Sequence, residues 1–195
     1  MGKIVYIMGK SSTGKDTIYR SILSDKSIKL KKIIPYTTRP IRAGEEDGVQ
    51  YYFTDEAGFE KLKQEGKVIE DRSYDTCYGL WRYFTVNDES LDLDKNNYII
   101  IGTLESYVQL RDYFGQERLV PIYVEVEDGL RLERALARER MQATPKYEEM
   151  CRRFLADAAD FSVENLKEAG ITRKFFNADV EKCVDEILLG IREKM

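Results

Sequence analysis

The stretch that most constrains this chain is Gly9-Lys10-Ser11-Ser12-Thr13-Gly14-Lys15-Asp16-Thr17. It follows Lys3-Ile4-Val5-Tyr6-Ile7-Met8, an apolar, β-branched run of strand length. It precedes Thr17-Ile18-Tyr19-Arg20-Ser21-Ile22-Leu23, where apolar residues recur at helical spacing. The glycines therefore fall where a strand turns into a helix, the context in which G-x-x-x-x-G-K-[ST] holds phosphate. Glycines let the backbone curl around an anion and point its N–H groups inward. The helix that follows adds the positive end of its dipole and its free N–H groups. Lys15 adds a mobile positive charge that reaches the outer phosphates. The bland alternative is a Gly-rich β-turn-α connection without a ligand; strand, glycines, lysine and helix in this order argue against it. Asp16 stands where the pattern has a hydroxyl residue, and Thr17 follows. Asp16 either contacts Mg²⁺, directly or through water, or caps the helix start.

The rest of the chain reads as alternating strand and helix. Lys31–Thr37 is expected to be a second strand, followed by a charged loop, Thr38–Gly48, and a short strand, Val49–Phe53. Asp55 can cap a helix that ends at Gly66, and strands follow at 67–74 and 81–86. Tyr98-Ile99-Ile100-Ile101-Gly102 is a continuous apolar run, as in a strand buried on both faces of a parallel sheet. Further strands are expected at 119–126 and 173–176, with helices through Val108, from Asp128, from Tyr147 and from Val180. Phosphate binding at the first turn of such an alternation implies a doubly wound α/β fold with a parallel sheet. The 195 residues fit one domain, 1–195, with a core at 1–35 and 91–195, a β-rich insertion at 36–90 and a helical lid region at 137–153.

Composition excludes several classes. The net charge is −4 with no long basic run, so neither nucleic acid nor a membrane surface is an expected partner. No apolar run approaches the ~20 residues of a membrane span. The chain leads straight into a strand, with no leader-like segment, and its 3 cysteines are far apart, as in reduced, cytoplasmic proteins. There is no histidine, so His-based catalysis and His metal ligation are impossible.

A second constellation follows. Arg39 and Arg42 lie three apart in the loop after the second strand, ahead of Gly44-Glu45, Gly48 and Tyr51. An arginine pair alone is usually a solvated face. Beside a phosphate cradle, two bidentate guanidinium groups suit a chain that brings two phosphorylated substrates together. The run Tyr36-Thr37-Thr38-Arg39-Pro40-Ile41-Arg42-Ala43-Gly44-Glu45-Glu46-Asp47-Gly48-Val49-Gln50-Tyr51-Tyr52-Phe53 resembles the guanylate kinase pattern T-T-R-x-x-R-x-G-E-x-x-G-x-x-Y-x-F at every fixed position. Lys67–Glu70, Cys77-Tyr78-Gly79, Met150–Phe154 and Phe175–Asp179 are similar to later segments of that family.

The resemblance implies a P-loop kinase that moves a phosphoryl group from ATP to GMP or dGMP. Gly9, Ser11, Ser12, Thr13, Gly14, Lys15, Asp16, Thr17 and Asn177 would bind ATP. Arg39, Arg42, Glu45, Tyr51, Glu70, Tyr78 and Gly79 would bind GMP, with Glu70 accepting hydrogen bonds from guanine N1 and N2. Lys15, Arg138, Arg140 and Arg153 would serve the transferring group, and Asp16 and Thr17 would serve Mg²⁺. Oligomeric state would be monomer or homodimer. The chain departs from the family at three places. Pro35 stands where a small hydroxyl residue lies near guanine, Leu80 follows Tyr78-Gly79, and Gly102-Thr103-Leu104-Glu105 replaces an Asp-x-Asp pair. These departures fall on the base side and leave the phosphate side intact. Two alternatives follow from them: a related kinase for another acceptor, such as ribose 1,5-bisphosphate, or a binding module without catalysis.

Overall fold

A computed structural model describes residues 2–42, 44–76, 79–88 and 91–195. Its main sheet has five strands in the order β2 (Leu30–Lys32), β7 (Asn97–Gly102), β1 (Ile4–Met8), β8 (Leu119–Glu125) and β9 (Lys174–Phe176), all parallel. β1 sits at the centre and every one of its residues is buried. Alternate residues feed opposite cores, as the pleat requires. Tyr6 and Met8 join Ile100, Tyr107 and Leu110 on one side, against α3 (Leu104–Phe114). Val5 and Ile7 join Ile18, Ile22, Ile187 and Ile191 on the other, against α1 (Lys15–Ser24) and α7 (Val180–Arg192). This is the doubly wound α/β arrangement that the sequence implied. α4 (Asp128–Arg140), α5 (Tyr147–Asp160) and α6 (Val163–Glu168) lie between β8 and β9 in the chain, and Leu166 of α6 packs on the α3 side with Phe161.

A second sheet of four strands runs in the order β4 (Tyr52–Phe53), β3 (Tyr36–Thr37), β6 (Gly79–Val86) and β5 (Val68–Thr76). Its helix α2 (Glu56–Gln64) starts at Asp55, whose side chain accepts from the Gly58 N–H, and sets Phe59 against Phe84.

The expected second strand, 31–37, is in fact two strands in different sheets. Ile33 N–H still donates to Ile99 O at 3.0 Å, which ends the pairing with β7. Pro35 has no N–H to continue a ladder; its carbonyl instead accepts from Tyr52 N at 3.0 Å, and the chain enters the second sheet as β3. The expected strand 49–53 shrinks to Tyr52–Phe53. Gly48, at φ 75°, turns the chain, and its N–H donates to Tyr51 O at 2.8 Å.

Candidate functional site

The loop from β1 to α1 is curled by three residues with positive φ: Gly9 (154°), Ser12 (64°) and Gly14 (82°). Glycine is required at two of them for lack of room as well. A Cβ on Gly9 would meet Val124 O at 2.4 Å, and one on Gly14 would meet Asn177 Nδ2 at 2.6 Å. Thr13 is buried and its hydroxyl donates to Lys10 O at 2.9 Å, while Asn177 Nδ2 donates to Thr13 O at 2.7 Å. Asn177 thus enters the site as a brace on the loop's outer side. Among the described residues no side chain caps α1; Thr17 N–H donates to Gly14 O at 3.0 Å, and the N–H groups of Lys15 and Asp16 are left for a ligand. Asp16 and Thr17 are exposed beside them. Burial pushes the Lys15 ammonium below its ordinary pKa; Asp16 and Asp157 oppose that shift, while Arg153 and Arg138 add to it. Lys15, Arg138, Arg153, Asp16 and Asp157 therefore share one electrostatic neighbourhood. Arg153 Nη2 stands 3.5 Å from Ser11 Oγ, and Arg140 is exposed at the C-terminal end of α4.

Two residues of this neighbourhood were not anticipated from the sequence. Asp157 of α5 accepts a hydrogen bond from Ser11 N at 2.7 Å, so a carboxylate takes one of the loop's amides. Arg131 of α4 is fully buried and ties the assembly together. Its Nε donates to Asp128 at 3.0 Å and its Nη1 to Ser11 O at 3.2 Å; Nη1 also stands 3.5 Å from Asp157, and the guanidinium lies 4.4 Å from the Phe154 ring centre. Nothing in spacing links positions 131 and 157, so only the packing of α4 on α5 brings them together.

The arginine pair expected from the sequence lies on the loop after β3. Arg39 is buried and makes a bidentate pair with Glu45, at 2.7 and 2.6 Å, while Arg42 N donates to Glu45 Oε2 at 2.9 Å. The Arg39 guanidinium also lies 5.1 Å from the Tyr51 ring centre and 5.4 Å from that of Phe53. Glu45 thus holds Arg39 in place, and the pair holds the Glu45 carboxyl down at about 2. Arg42 itself is exposed. Gly79 opens β6 at φ 102°; Tyr78, with Cys77, lies outside the described residues.

On the neighbouring strand β5, Glu70 is buried. Its Oε1 accepts from Thr85 Oγ1 at 2.7 Å and its Oε2 from Arg72 Nε at 3.2 Å. Arg72 Nη1 donates to Thr103 Oγ1 at 3.0 Å, and Thr103 caps α3. That bond joins the second sheet to the main one at the place where the sequence lacks the Asp-x-Asp pair. Arg72 had a signal in the sequence: positions two apart on a strand share a face.

A parallel sheet with a curled, glycine-bearing loop between its first strand and first helix gives this protein the P-loop kinase fold. A solved guanylate kinase from Anaplasma phagocytophilum, 22% identical, shares that fold with a TM-score of 0.62, over 100% of this chain and 87% of that one. The family model described as "Guanylate kinase" matches residues 1–101. Guanylate kinase of Mycoplasmoides gallisepticum is 30% identical over 189 residues, covering 95% of this chain and 90% of the relative. That of Caldanaerobacter subterraneus is 26% identical over 188 residues, covering 95% and 84%. The chain belongs to the guanylate kinase family.

Proposed function

We propose that this protein transfers the γ-phosphoryl group of ATP to GMP, and to dGMP, giving GDP and ADP by direct in-line displacement. The observation that carries the reading is the coexistence of an intact phosphate cradle around Lys15 with a separate, preorganised arginine clamp at Arg39. A new bond forms between an acceptor phosphate oxygen and the γ-phosphorus, while the bond from that phosphorus to the β-bridging oxygen breaks and ADP leaves. No covalent enzyme intermediate is needed, because alignment and charge neutralisation supply the catalysis.

In this reading the loop amides and Lys15 hold the ATP phosphates, and Asn177 fixes the loop that presents them. Arg39, Arg42 and Tyr51, together with Tyr78 and Gly79, hold the acceptor. Arg138, Arg140 and Arg153 come from the lid region, 137–153, and cover the transferring group, excluding water that would otherwise hydrolyse ATP. The core at 1–35 and 91–195 supplies the donor side, and 36–90 supplies the acceptor side. Mg²⁺ is bound by few protein oxygens and several waters. The exposed carboxylate of Asp16 and hydroxyl of Thr17, next to Lys15, suit that demand, and they would hold the ion. When bound, it neutralises phosphate charge.

The test is ADP release with Mg-ATP against GMP, dGMP, AMP, UMP, CMP and ribose 1,5-bisphosphate, with Lys15→Ala as control. Lys15-dependent turnover of GMP and dGMP supports the reading. A second reading, another acceptor, is favoured by one observation: Glu70 is buried and already engaged by Arg72 and Thr85. Turnover confined to a different acceptor would establish it.

A further inference from the structure

We infer that Arg72 is the residue that touches the acceptor base, reading the oxygen at C6 of a 6-oxopurine, and that Glu70 acts through it as a positioning residue. The inference rests on the proposed phosphorylation of GMP and deepens it.

The Glu70 side chain is 0% exposed and that of Arg72 11%, so of the pair only Arg72 meets solvent. Both Glu70 oxygens already have donors, Thr85 on one and Arg72 on the other. Arg72 is fixed in turn at two points, Nε on Glu70 and Nη1 on Thr103. Among the described residues its Nη2 has no partner, and it is not one of the buried unpartnered atoms, unlike Arg39 Nε and Arg131 Nη2. The guanidinium is a rigid planar fork in which an Nη2–H lies parallel to the Nε–H. Its donors are therefore aimed, and it carries no acceptor.

A fixed donor reads a lone pair. With Nε on Glu70 and Nη1 on Thr103, Nη2 is the donor left to the base, and guanine presents it the acceptor O6. Adenine presents N–H donors at C6, and donor would face donor. The alternative supplier of a donor, Pro35, has neither N–H nor hydroxyl. The positive charge of Arg72 also has company suited to a flat ring. Tyr51 and Tyr74 are both close enough for it to lower their pKa values, against the upward effect of burial.

The experiment measures kcat/KM with Mg-ATP for GMP, IMP, 6-thio-GMP and 2-aminopurine ribonucleoside monophosphate, in wild type, Arg72→Met, Arg72→Lys and Glu70→Gln. Wild type should use IMP within about threefold of GMP, because the 2-amino group is not read. It should use the two analogues lacking O6 about 10- to 100-fold less well, the range for one hydrogen bond to a charged donor. Arg72→Met should bring GMP and 2-aminopurine nucleotide to within about threefold of each other. Arg72→Lys should restore part of the preference, and Glu70→Gln should keep most of it, since a Gln oxygen still accepts from Nε. Equal use of GMP and the O6-lacking analogues by wild type overturns the inference even if the variants fail to fold. An unchanged ratio in Arg72→Met, with loss of discrimination against IMP in Glu70→Gln, moves the reading to Glu70 and overturns it as well. In both of those cases GMP phosphorylation itself survives. Lys15-dependent turnover of an acceptor other than a purine nucleotide overturns the proposed function, and this contact with it.

Discussion

Replacing Arg131 by Met should destabilise the protein sharply, although the side chain lies on a helix that is otherwise mostly exposed. Arg131 is fully buried, donates to Asp128 and Ser11 O, faces Asp157 at 3.5 Å and stacks on Phe154. Removing one partner of a buried ion pair costs about 3–5 kcal/mol, because the other charge is left uncompensated. Here the discount is real: Asp128 is 55% exposed, and Asp157, at 17%, keeps the Ser11 N–H. A loss of about 2–3 kcal/mol remains. For a chain of this size each kcal/mol moves Tm by about 2–4 °C, so the drop should be about 5–10 °C. Thermal unfolding followed by circular dichroism measures it. The sharper test is the double variant Arg131→Met/Asp157→Leu. It removes both charges and should recover roughly half of the loss, because no orphan carboxylate remains. A fall of less than about 2 °C in the single variant, or effects that add within about 0.5 kcal/mol in the double one, would refute the reasoning.

Four other outcomes are expected. Asp157→Asn should bind ATP about fivefold more tightly by calorimetry, since a carboxylate no longer competes for the Ser11 amide, an effect of ~1 kcal/mol. Ser12→Gly should raise Tm by about 2–4 °C, because it relieves a left-handed non-glycine residue and a buried hydroxyl without a hydrogen-bond partner among the described residues. Arg39→Ala should lower kcat/KM for GMP by about 10²-fold or more while leaving calorimetric ATP affinity unchanged, because it removes charge-assisted contacts to the acceptor phosphate alone. The Glu45 carboxyl is lowered from 4.5 to about 2 by Arg39, so its stabilisation is complete above the higher value and lost as pH falls through the lower one. The stability gap between wild type and Glu45→Gln in urea should therefore be constant from pH 5 to 8, narrow below about 4.5 and close near 2.

Where local chemistry decided the structure, the sequence was legible. β1, the glycine-bearing turn and α1 follow from an apolar run, two glycines and a helical period, and the order of the remaining elements follows from the same alternation. Asp55 reads as a cap and is one. The failures mark places where tertiary pairing prevailed. Lys31–Thr37 has strand composition throughout, yet the missing N–H of Pro35 divides it between two sheets. Arg39 was legible through its motif, but its partnership with Glu45 needed the loop to fold back. Glu70 was legible as a carboxylate on a strand; that Thr85 and Arg72 would bury it required the register of β5 on β6. Arg131 and Asp157 were invisible, because their meeting depends on how one helix lies on another.

The carboxylate of Asp157 on the amide of Ser11 means that the donor loop carries an anion of its own. A phosphate bound at that amide would displace the side chain, and with it one contact of α5 with the loop, Arg153 on Ser11 being another. In the proposed reaction, departure of nucleotide would be an exchange rather than an emptying, the internal anion returning as the external one leaves. Occupancy of that amide and the seating of α5 would then be linked through one carboxylate.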